Sequence, residues 1–142
     1  MRRLHLLTGL LGVVAFLASG QYMDVAQDHL RGLDGTARML FRSRHIYLLF
    51  AALLNLALGL YLTPGPAGWR RWLQRGGSAL LLTAPWLLAV AFLTEPWYAG
   101  AGCPYSLPAC IASLTGTLLH LVSRVPRREA AAERLAKQAE RP

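Results

Sequence analysis

The chain has 142 residues, 54% hydrophobic and 15% charged, with a formal net charge of +8. Soluble domains carry about 25% charged residues, and a soluble chain this short has too much surface to hide several long apolar segments. The positive balance does not point to nucleic acid, because the basic residues sit at the ends of apolar segments, where they act as topology determinants.

Asp, Glu, Lys and Arg are missing from four stretches: Leu4 to Met23, His45 to Trp69, Gly76 to Thr94, and Pro96 to Ser123. Crossing the hydrocarbon core takes roughly 20 apolar residues in a helix. The pattern predicts an all-α integral membrane protein, a four-transmembrane-helix bundle over residues 1–123, followed by a polar cytoplasmic tail over 124–142. The predicted spans cover about 4–22, 46–62, 77–94 and 107–122.

Span one follows Arg2 and Arg3. The same start, closing on Ala18-Ser19-Gly20, also matches a cleavable signal peptide. The apolar run is long for that pattern and continues through Tyr22 and Met23, so a retained span is expected. Cleavage before Gln21 would leave three spans. The first loop contains the turn signal Gly32-Leu33-Asp34-Gly35, after which Thr36 is expected to cap a helix leading into span two. Thr63-Pro64-Gly65-Pro66 ends span two, because proline cannot continue the helical ladder. Span three carries Pro85, an expected kink, and stops at Glu95-Pro96. Span four runs to Val122. In the tail, Glu129, Glu133 and Lys137 are spaced by four, as on a solvated helix from Arg127 to about Gln138.

Eleven of the fifteen basic residues fall on the side that holds both termini. The positive-inside rule then places both termini in the cytoplasm of a bacterial inner membrane. Tyr22, Tyr47, Trp97, Tyr98 and Tyr105 fall near the outer interface, and Tyr61, Trp69 and Trp72 near the inner one, where aromatic rings with a polar edge concentrate.

Three spans carry a stripe of small residues, the residue type that lets helices approach closely in lipid. Thr8, Gly12, Ala15 and Ser19 follow His5, Ala109, Ser113 and Gly116 precede His120, and Ala52 and Gly59 follow His45, with Asn55 close to that face. Close packing explains the small residues but not the histidine on each stripe.

His5 and His120 should lie near the cytoplasmic edge of antiparallel helices. Opposed imidazoles at one depth are candidate ligands for haem b. His45 with Arg38, Arg42 and Arg44 forms a candidate site for an anion, a haem propionate, a lipid headgroup or a quinone carbonyl, since arginine forks suit carboxylate and phosphate. His29 is close enough in sequence to join it. The competing reading is arginines that snorkel and pair with Asp24, Asp28 or Asp34. Cys103 and Cys110 enclose six residues in or beside the second outer loop, and an oxidising compartment favours a disulfide between them. A thiol-oxidase role would need a second dithiol, which a chain with two cysteines lacks. Glu95 is expected to pair with Arg38 or Arg42, because a lone carboxylate beside lipid is costly.

No phosphate-binding glycine loop, zinc-type spacing or nucleophile elbow is present, and no intramembrane acidic pair suggests ion-coupled transport. The expected function is a non-enzymatic accessory or assembly component that acts through helix packing. Its partners would be the bilayer and a larger complex or a second copy. A haem- or quinone-binding redox protein is the alternative, and an oligomeric small-solute transporter or channel is a third.

Overall fold

The computed structural model describes residues 1–63, 68–98 and 102–124, and they are helical almost throughout. The helices are α1 (Arg2–Gln21), α2 (Gly35–Tyr61), α3 (Trp69–Thr94) and α4 (Ser106–Arg124). A π-helical turn (Tyr22–Ala26) extends α1, and a 3-10 turn (Glu95–Trp97) extends α3. All four are long and apolar enough to cross a membrane. The expected tail helix, and most of the proline break after α2, lie outside the described residues.

Arginine interrupts an apolar run but not a helix, so two helices begin earlier than the charge-free stretches imply. α2 starts at Gly35, and its N-cap is Asp34 rather than Thr36, with the Asp34 carboxylate accepting from Ala37 N at 2.8 Å. α3 starts at Trp69, and Arg70 and Arg75 lie over the rings of Trp69 and Trp72. Between α1 and α2 the chain passes through three consecutive residues with positive φ, Asp28, His29 and Leu30. Side chains resist that conformation. The segment is anchored by Leu30, which is buried against Phe41 and Phe92.

The packing is inverted relative to a water-soluble bundle. Large apolar side chains such as Leu7, Val14, Leu17, Leu114 and Leu121 point outward, whereas His5, Asn55, Ser78, Glu95 and Ser123 are fully buried. Small residues and polar contacts join the helices instead, the packing expected of helices in an apolar medium, where the usual drive to bury leucine is absent. α1 packs chiefly on α2, and α3 on α4, while the two pairs meet mainly through α2 and α3.

Backbone approach sets both pairings. A Cβ on Gly9 would meet Leu56 N at 2.8 Å, and one on Gly59 would meet Leu6 N at 2.8 Å. In the second pair, a Cβ on Gly77 would lie 2.8 Å from Gly116 O and 3.0 Å from His120 Cδ2. The next residue back, Gly76, has nothing within 4 Å of such an atom.

These adjacent glycines should therefore respond with opposite sign. Gly77→Ala is expected to destabilise by about 1–3 kcal/mol through overpacking. Gly76→Ala should be neutral or stabilising by up to about 1 kcal/mol through helix propensity. Thermal unfolding in one detergent checks both, and equal shifts would remove the claim that Gly77 sets the α3–α4 distance.

Candidate functional sites

Two polar clusters are buried in the bundle, one near each end. The cluster nearer Arg2 and Arg124 is organised by Asn55. Proline at position 85 has no N–H, so the carbonyl four residues earlier, that of Leu81, loses its helical partner. The Asn55 amide supplies one: Nδ2 donates to Leu81 O at 2.8 Å and to Ala51 O at 2.9 Å. With both amide hydrogens engaged by carbonyls, Oδ1 is left to face His5 Nδ1 at 2.7 Å.

That orientation fixes the rest of the chain of bonds. An amide oxygen only accepts, so His5 Nδ1 carries the hydrogen. With both imidazoles neutral, His5 Nε2 accepts from Ser78 Oγ at 3.0 Å, and Ser78 Oγ accepts from His120 Nε2 at 3.1 Å. His120 Nδ1 is then a bare lone pair, and it is buried with no hydrogen-bond partner among the described residues. The sequence of bonds stops at an amide oxygen, which cannot hand a proton onward. The cluster ties α1, α2, α3 and α4 together.

The structure thus brings His5 and His120 together, with ring centroids 6.3 Å apart and the planes at 74°. Both Nε2 atoms converge on the Ser78 hydroxyl. A bis-imidazole iron would have to displace that hydroxyl, and a porphyrin would have to separate α3 from α4 where Gly77 meets Gly116 O. The arrangement as packed does not fit haem b.

At the opposite end, Arg44 and Glu95 form a buried ion pair, with Nε to Oε2 at 2.7 Å. The other carboxylate oxygen accepts from Tyr105 N at 2.9 Å and Ser106 N at 2.8 Å. Glu95 thereby satisfies free N–H groups at the start of α4, where a negative charge is favoured. Arg44 Nη1 donates to Ser43 Oγ at 2.8 Å, and Nη2 donates to Cys103 Sγ at 2.9 Å. One guanidinium joins α2 to the end of α3 and to the loop before α4.

Several sequence expectations change here. Glu95 pairs with Arg44, not with Arg38 or Arg42, because Arg44 alone of the three is buried. Arg38 donates to Leu33 O at 3.0 Å and keeps a buried Nε without a partner, while Arg42 is exposed. His45 faces α1, where its ring stacks on Phe16 at 4.0 Å and Nδ1 meets Ser19 Oγ at 2.8 Å. Arg38, Arg44 and His45 therefore have separate local partners, and with Arg42 exposed the four do not converge on one anion. His29 pairs with Asp24 and stands apart from them.

Cys103 and Cys110 are free thiols. Cys103 O already accepts from Leu107 N at 3.3 Å, so the segment between them is wound into the start of α4. Cys103 thus lies just before α4 and Cys110 in its second turn.

Sequence reasoning missed Ser78, which bridges the two histidines, and the match between Pro85 and Asn55. The second was detectable, since a proline in a span always frees the carbonyl four residues before it. Among the described residues no group of three or more His, Cys, Asp or Glu side chains is placed to hold a metal ion. No family model, no curated protein and no solved structure matches this chain.

Two predictions follow from this geometry. In a double-mutant cycle, Asn55→Ala and Pro85→Ala should be non-additive by about 1 kcal/mol, because alanine at 85 restores the N–H that Leu81 O lacks. Additive losses in thermal unfolding would dissolve the link between the two residues. Glu95→Ala should cost about 3–5 kcal/mol by stranding the buried Arg44 charge. The double variant Arg44→Met, Glu95→Met should unfold closer to wild type than Glu95→Ala does. A double variant as unstable as the single one would show that the pair has no such role.

Proposed function

We propose that this chain is a multi-pass protein of the bacterial inner membrane, with both termini in the cytoplasm, serving as a non-enzymatic accessory or assembly component. The observation that carries this reading is how the buried polar groups are used. Both clusters spend nearly all their donors and acceptors on neighbouring helices, which leaves a rigid bundle whose outer surface is apolar. Bonds that end on the Asn55 amide oxygen do not suit a proton or ion path, which argues against the transporter reading. The Ser78 hydroxyl between the histidines argues against the haem reading. The cytoplasmic termini rest on the eleven basic residues of that side.

The surface for a partner helix is the seam between α2 and α4, which touch each other sparsely. A groove of about 420 Å³ runs there, lined by Ile46, Phe50, Leu54, Cys110, Ser113 and Thr117. Bulky residues form the α2 wall, while the α4 wall sets the smaller Cys110, Ser113 and Thr117 beside Leu114, a relief into which another membrane helix can pack.

Photo-crosslinkers at Phe50 and Leu114, compared with Val14 on the outer face of α1, test the proposal in native membranes. A discrete protein adduct is expected from the seam and not from Val14. Lipid adducts alone at all three positions would refute the accessory reading, and a Soret band in the purified protein would replace it with the haem reading.

A further inference from the structure

Among the described residues, the end of the bundle that holds Arg2 and Arg124 carries arginines and no carboxylate. The described residues there include Arg2, Arg3, Arg70, Arg71, Arg75 and Arg124. Every described carboxylate lies at the other end: Asp24, Asp28 and Asp34 in the first loop, and Glu95 beside Arg44. That separation is the length of the helices, beyond a Debye length of about 8–10 Å. These arginines have no acidic partner among the described residues.

Part of this charge is concentrated in a cleft of about 480 Å³ between the starts of α1 and α3 and the end of α2. Its walls include Met1, Arg2, Leu62, Arg71, Arg75 and Ser78. Arg71, Arg75 and Ser78 recur at i, i+4 and i+7, so one face of α3 runs from the charged rim to the polar floor. Two of the arginines are held in place. Arg2 donates from Nε to Gly59 O at 3.3 Å and from Nη2 to Leu60 O at 3.0 Å, using only part of its donor set. The Arg75 guanidinium lies 5.4 Å from the centre of the Trp72 ring, which restricts its plane. Ser78 is itself fixed by both histidines.

We infer that this cleft is a binding site for a phosphate group, gripped by Arg71 and Arg75 with Arg2 opposite. A phosphate offers oxygens in several directions and can take a planar fork on more than one side. Carboxylate, with two oxygens in one plane, uses a single fork. The phosphate can belong to an anionic phospholipid headgroup or to a soluble phosphate ester. The lipid source rests on the membrane reading above, but the cleft itself does not.

The test uses the full chain in detergent. Native mass spectrometry with phosphatidylglycerol or phosphatidylcholine reads the lipid arm, and calorimetric titration with inorganic phosphate or glycerol 3-phosphate reads the soluble arm. One saturable ligand per chain is expected, weakened at least about tenfold in R71Q/R75Q, with R70Q unchanged because Arg70 does not line the cleft. Phosphatidylglycerol retained in preference to phosphatidylcholine, with no response to phosphate, identifies a headgroup site. Binding or displacement by phosphate identifies a soluble ligand. The single variants R71Q and R75Q, each expected to lose part of the binding, keep the test valid if the double variant does not fold. Wild-type binding in R71Q/R75Q or in both single variants, an equal loss in R70Q, or no saturable ligand in either arm would overturn the site. Failure of the seam crosslinks would leave this result untouched.

Discussion

A carbonyl that cannot be bonded by its own helix is expensive in an apolar medium, and in this chain the position of Pro85 creates one at Leu81. Asn55 answers it from the neighbouring α2 and still has its amide oxygen for His5. From this one amide the directions of the other bonds follow, through His5 and Ser78 to His120. The depth at which α1 and α4 sit against α3 is therefore tied to a defect in α3. A leucine at position 55 would fill similar space and leave Leu81 O and His5 Nδ1 unsatisfied, at roughly 1–3 kcal/mol for each buried group.

The two polar clusters divide the work between the ends of the bundle. Near the terminal end, neutral side chains bridge four helices, and one of them, Ser78, also lines a basic cleft. At the other end, a charged pair holds α2 to the α3–α4 connection, with two backbone N–H groups donating to Glu95 and a hydroxyl and a thiol accepting from Arg44. Charge is kept out of the middle of the helices, where removing it from water costs several kcal/mol per ion. Glycine contacts around the terminal cluster set the helix distances there, so that polar side chains as short as serine and asparagine can reach across.

Much of this architecture was legible in the sequence. The four charge-free stretches gave the number of helices long and apolar enough to span a membrane, and the small-residue stripes on His5 and His120 identified faces that the structure buries. The start of α3 was less legible, because Arg70, Arg71 and Arg75 end the apolar run while continuing the helix, whereas the expected cap at Thr36 fell two residues from the observed one at Asp34. Pairing of charges was not legible at all: Arg38, Arg42 and Arg44 are equivalent in composition, and only the 100° step per residue decides which of them faces Glu95. The two histidines were correctly brought together, but a hydroxyl from a third helix stands between them, and nothing near Ser78 in the sequence marks it. Local spacing made the cysteine pair look like a loop closure, whereas the winding of α4 begins before the second cysteine is reached.

The arrangement of tight pairs also bears on assembly. α1–α2 and α3–α4 are each close-packed antiparallel hairpins, and the bond between His5 and Asn55 is complete within the first. The second hairpin, before it docks, carries a bare Leu81 carbonyl and a Ser78 hydroxyl with a single histidine partner. In a bilayer, an orphaned half-molecule would thus be marked by polar groups that a docked one buries. Surveillance systems that recognise misplaced polarity in the bilayer would have a means of telling finished copies from unfinished ones.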